Sequence, residues 1–152
     1  MKKFLLLVVA FCFLGIGAQA QSTMGKGQLV GGVRLGLNGG GVPVGLVLDY
    51  GVAGGLINGN ASISVGGDLG VCLYDKVGGG MGVWLSAAAR GNFHYEFVQN
   101  LDTYLGLNLG ICNGLSLGAH LGARYYFGNW GLNLELGGGT TVGGSLGVSF
   151  KL

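Results

Sequence analysis

Three features of the sequence predict an all-β protein, an eight-stranded antiparallel up-and-down transmembrane β-barrel that follows a cleaved signal peptide. Apolar and less apolar residues alternate with period two through eight segments. Charged residues make up only 9% of the chain, against about 25% in a typical soluble domain. Beyond the N-terminal stretch, no apolar run reaches the roughly 18 residues of a membrane helix.

The N-terminal stretch reads as a leader. Lys2 and Lys3 precede an apolar run from Phe4 to Gly17, and Ala18-Gln19-Ala20 places small residues at the −3 and −1 positions of a cleavage site. The run is short for an uncleaved membrane helix, and Cys12 follows Phe11 inside it, which argues against a lipoprotein. The expected division is therefore a signal peptide over 1–20 and a barrel over 21–152. Cleavage removes two of the eight basic residues and no acid, leaving six of each sign and a formal net charge of zero. A nucleic-acid partner, which needs a basic face, is not expected. The chain has a mean hydropathy of +0.57 and too little charge to clothe a soluble surface. A closed barrel can span a bilayer without a helix, because it satisfies every backbone group between its strands.

The strands follow in order. Over 28–38, Leu29, Val33, Leu35 and Leu37 oppose Gln28, Arg34 and Asn38. Over 42–52, Val42, Val44, Leu46, Leu48, Tyr50 and Val52 oppose Asp49. The third segment sets Ile63, Val65, Leu69, Val71 and Leu73 against Ser62, Ser64, Asp68 and Cys72. The fourth sets Met81, Val83, Leu85, Phe93, Tyr95 and Phe97 against Ser86, Arg90, Asn92, His94 and Glu96. In the fifth, Leu101, Leu105, Leu107, Leu109 and Ile111 oppose Asp102, Tyr104 and Asn108. In the sixth, Leu117, Leu121, Tyr125 and Phe127 oppose Ser116, His120 and Arg124. Trp130, Leu132, Leu134 and Leu136 then oppose Asn133 and Glu135, and Leu146, Val148, Phe150 and Leu152 oppose Ser145, Ser149 and Lys151.

Turn signals separate the segments at 38–41, 54–60, 75–80, 98–100, 113–114, 128–129 and 137–141. The chain holds 36 glycines, each of which costs about 1 kcal/mol in a helix, so a helical reading fails. Strands of about ten residues, tilted by about 40°, rise about 25 Å, the height of the apolar band of such barrels.

With the strands numbered up and down, the outward aromatics gather at one rim: Tyr50, Phe93, Tyr95, Phe97, Tyr125, Phe127, Trp130 and Phe150. They read as an aromatic girdle at the lipid headgroups, on the periplasmic side if the N-terminus is periplasmic.

These residues, and the segments VPVGLVLDYGV at 42–52, LGARYYFGNWGLNLELG at 121–137 and the closing SLGVSFKL, give the mature chain its family likeness. It resembles the small eight-stranded bacterial outer-membrane barrels of the OmpA-domain and OmpX kind. The resemblance implies a location in the outer membrane of a Gram-negative bacterium, with outer-membrane lipid as partner. It also implies contact with the outer-membrane assembly machinery during biogenesis, which reads a terminal strand similar to this one.

The other face carries a lumen charge network: Arg34, Asp49, Asp68, Arg90, Glu96, Asp102, Arg124, Glu135 and Lys151. Most of these lie toward the aromatic end and are expected to plug it, with a proton or ion path as the alternative. Arg124 is expected opposite Asn133 with Glu135 on the diagonal, within reach of a long side chain. Glu96 and Asp102 are expected to face each other across the 98–100 turn, screened by water or Lys151. His94 and His120 fall on non-adjacent strands with no further ligand, so no metal site, cofactor or catalytic residue is expected. Cys72 and Cys112 point inward on strands separated by one other, roughly 9–10 Å apart, too far for a disulfide. The inward glycines, among them Gly82 and Gly122, either make room for Tyr74, Trp84, Tyr104 and Tyr126 or leave an upper cavity open outward.

The function expected is a structural or interaction role in the outer membrane, without catalysis. A narrow pore or small-ligand cavity is the alternative. A membrane hydrolase relying on Ser86, His94 or Asp102, and a secreted glycine-rich amyloid subunit, are the remaining readings. The short turns offer little surface for recognition outside the cell.

Overall fold

A computed structural model describes residues 24–37, 41–112, 114–138 and 143–152. The expected signal peptide and its cleavage site lie outside these residues, as do Asn38, Asn113 and Thr141 of the expected turns.

Eight strands form one sheet: β1 (Leu29–Leu37), β2 (Gly41–Leu56), β3 (Ala61–Asp75), β4 (Met81–Val98), β5 (Leu101–Cys112), β6 (Leu115–Phe127), β7 (Trp130–Gly137) and β8 (Gly144–Lys151). Each pairs antiparallel with its sequence neighbour, and β1 pairs with β8, so the sheet closes into a barrel. Closure leaves no strand at an open edge of the sheet. The lower end of the barrel carries the start of β1, the end of β8 and the hairpins around 57–60, 99–100 and 128–129; the upper end carries the other connections.

The wall is uneven. β2, β3 and β4 have 16, 15 and 18 residues, whereas β7 and β8 have eight each. β2 runs past the expected end at Val52, because register irregularities between Gly51 and Ala53 and between Ala53 and Leu56 absorb extra residues. The turn then tightens to Ile57–Asn60, with Ile57 and Asn58 at positive φ. At the far hairpin Phe127 pairs with Trp130, and Gly128 (φ 83°) supplies the left-handed residue of the two-residue turn.

Burial alternates along each strand with the polarity reversed relative to a soluble protein. Leu85 and Leu117 are each 71% exposed, while Arg34 and Arg124 are 1% and 0% exposed. The leucines and most valines face outward, and the polar residues fill the lumen together with Val30, Val47, Tyr104 and Tyr126.

Candidate functional site: the lumen

The lumen is held by cross-barrel contacts. Arg34 on β1 pairs with Asp68 on β3 and with Glu135 on β7. Arg90 on β4 donates to Glu135 Oε2 at 2.7 Å and lies 3.3 Å from Asp49 Oδ1 and 3.6 Å from Asp68 Oδ2. Arg124 on β6 pairs with Asp49 on β2, and its Nη1 lies 3.9 Å from Asp102. Three guanidiniums and four carboxylates thus bridge seven strands across the interior. Arginine suits this role, because its planar fork serves two acids at once and stays charged.

Two details differ from the sequence reading. Glu135 is not the partner of Arg124, although Arg124 does face Asn133 in the ladder. Arg34 and Arg90 take Glu135 from across the lumen, a connection that strand pairing does not reveal. Lys151 does not screen the acids at the mouth; its Nζ sits 4.3 Å from the centre of the Tyr126 ring. Asp102 is met by His94 and Arg124, and Glu96, its ladder partner, accepts from the Asn100 amide at 2.7 Å.

Glycines seat the aromatic side chains. Tyr104 lies directly opposite Gly122, and a Cβ at that glycine would collide with the phenol ring. The Tyr104 hydroxyl reaches past Gly122 to Glu135, the next residue along that row, and donates to it at 2.8 Å. The Arg124 guanidinium stacks 4.5 Å from the centre of the same ring. Tyr74 rests on Gly82 in the same manner and packs against Trp84 at 5.2 Å between centroids. Gly122→Val is expected to unseat Tyr104 and remove its hydrogen bond to Glu135, destabilising the barrel by about 1–3 kcal/mol; a lower urea midpoint for folding checks it.

A second array runs below the ion pairs. Asp102 contacts His94 Nδ1 at 2.9 Å, and His94 Nε2 lies 2.8 Å from Ser64 Oγ. Asn92 donates to Ser64 Oγ and to Asp49 Oδ1, each at 3.1 Å. Asn92 Oδ1 accepts from His120 Nε2 at 2.7 Å. Ser64, His94 and Asp102 are in the order of a nucleophile, base and orienting acid. The sequence reading named His94 and Asp102 for a hydrolase but paired them with Ser86, which lies against Gly70 instead. The register that brings Ser64 to His94 was legible only as two inward positions. Catalysis finds little support in the surroundings. Ser64 is 0% exposed and His94 and Asp102 1% each, and the strand amides that could steady an oxyanion serve the β-ladder. Among the described residues no cluster of three or more His, Cys, Asp or Glu side chains is placed to hold a metal ion.

Cys72 and Cys112 are both free. The Cys72 sulfur leans toward Gly41 on β2, whereas Cys112 lies on the other side of β4, opposite Ser86.

Outside, the eight aromatics sit at the lower end, on β2, β4, β6, β7 and β8. Tyr95 packs on Phe97 at 4.7 Å, and Tyr125, Phe127 and Trp130 form a run with centroids 5.0 Å apart. Grooves mark this outer wall. One of 370 Å³ lies beside Phe93, Tyr95 and Phe97 with Thr103 and Ala123 in its floor, and one of 780 Å³ runs past Leu46, Leu69 and Leu109.

The backbone is similar to that of a solved structure described as a "De novo design of transmembrane beta-barrels", with a TM-score of 0.58 and 19% sequence identity over 84% of this chain and 97% of that one. The fold is that of a transmembrane β-barrel. No protein-family model and no curated protein matches the sequence. The likeness therefore carries the architecture and leaves the activity to be argued from the side chains.

Proposed function

We propose that the chain is an integral outer-membrane protein of a Gram-negative bacterium, exported by its leader and akin to the small barrels of the OmpA-domain and OmpX kind. Its role is structural or interactive rather than catalytic, its main partner is outer-membrane lipid, and the assembly machinery of that membrane inserts it. The observation that carries this reading is the reversed burial. A wall of exposed Leu, Val and Ile surrounds a lumen of buried Arg, Asp and Glu, and contiguous apolar surface on that scale marks a membrane contact. The aromatic end faces the periplasm, where Tyr and Trp rings suit the headgroup layer.

The lumen does not favour the pore reading. Its ion pairs join opposite walls, so a hydrated ion finds the path cross-linked. A proton fares no better: the chain from Asp102 through His94 and Ser64 reaches His120 by way of the Asn92 side-chain amide, a poor carrier of protons. The expected result is a protein in the outer-membrane fraction that migrates differently on gels before and after boiling, and that gives no current steps in a planar bilayer. Discrete conductance steps would replace the sealed barrel with the pore. Recovery from the soluble or inner-membrane fraction, without a boiling shift, would remove the membrane reading altogether.

A further inference from the structure

We infer that residues 24–27 form a removable stopper in the lower mouth of the lumen, covering a small polar alcove made by Ser62, Ser64, His94 and Asp102. The turn precedes β1, yet Met24 is only 1% exposed. It folds back into the barrel rather than away from it. Gly27 (φ 84°) donates its amide to Gly51 O at 2.8 Å, and Gln28 donates to Gly25 O at 3.2 Å to close the turn. The Gln28 side chain in turn accepts from the Gly25 amide at 3.2 Å.

The seat is built from two glycines of β2. Gly51 occupies an inward position, and a Cβ there would run into the Gly25 carbonyl. A Cβ at Gly54 would lie 2.9 Å from the Lys26 amide. The irregular register of β2 in this region provides the width. The turn is two-faced: Met24 is buried and Lys26 stays in solvent.

Beneath it lies the alcove. Gly51 is the ladder partner of Ser64, and Ser62 is the ladder partner of His94. The Ser62 hydroxyl is buried and has no hydrogen-bond partner among the described residues, a standing cost that water admitted on opening relieves. The barrel closes without the turn, since its strands begin at Leu29. A segment outside the β-ladder opens at lower cost than the strands. The lumen is thus closed twice, by a fixed lattice of ion pairs in its middle and by a displaceable turn at its mouth.

Carbethoxylation of the two histidines by diethylpyrocarbonate, followed residue by residue by mass spectrometry on the full chain folded in detergent, tests this. In the native protein His94 and His120 are both expected to react slowly. Deleting residues 24–27, or introducing Gly51→Val, is expected to speed reaction at His94 by about tenfold or more while His120, inside the lattice, stays slow. A variant that keeps its boiling shift yet leaves His94 as slow as before overturns the proposal, and so does a native His94 that already reacts at the variants' rate. Should Gly51→Val abolish the boiling shift, the deletion, which touches no strand, decides. If the deletion also abolishes it, the turn is part of the barrel and the proposal fails.

Discussion

Arg124→Ala is expected to be the most damaging single change in the lumen, costing about 3–5 kcal/mol, because it leaves a buried acid without its partner. Asp49 is 0% exposed and pairs with Arg124, whose guanidinium also covers the Tyr104 ring and approaches Asp102. Urea titration of folding into lipid vesicles measures the loss. Asp49→Asn in the Arg124→Ala background is expected to recover part of it, because an amide tolerates burial that a lone carboxylate does not. A loss below about 1 kcal/mol would mean that Arg90, whose Nε already lies 3.3 Å from Asp49, takes over the acid.

Leu107→Arg probes the other face. Leu107 lies near the middle of β5 and is 63% exposed. On a wall that meets lipid, arginine at that depth costs about 2–4 kcal/mol. On a wall that meets water, the same substitution falls within about 0.5 kcal/mol of neutral. Val77→Arg, at the fully exposed tip of the upper hairpin between β3 and β4, is the control and is expected to be neutral in vesicles. Equal stability of the two variants would contradict the membrane reading directly.

The strands and the sidedness of their residues were legible in the sequence because alternation is a local property. Arg34, Asp49, Arg90 and Arg124 needed only the parity of their positions to be placed inside. The end of β2 was not legible: Gly54 and Gly55 signal a turn by composition, yet the bulged ladder carries them to Leu56. Contacts across the lumen were beyond reach as well. Arg124 and Asp49 are 75 residues apart on strands that never pair, and which acid an arginine selects depends on barrel width and stagger. Ser64, Asn92 and His94 were read as inward positions, but their order as a hydrogen-bonded chain follows from the register of β3 against β4. Met24 lay in a stretch without periodicity, so nothing marked it as buried.

The unequal strands have a consequence for whatever surrounds the barrel. At a rise of roughly 2.5 Å per tilted residue, a strand of eight residues such as β7 reaches about 20 Å, while the 18 residues of β4 reach about 45 Å. A bilayer's hydrocarbon layer measures about 30 Å. Over the described residues, the side of β7 and β8 falls short of it and the side of β2 to β4 more than spans it. Lipid beside the low side must thin or tilt its chains, and lipid beside the tall side need not. The protein would then stand in its membrane as a wedge, presenting one flank where neighbouring bilayer is compressed and another where it is relaxed.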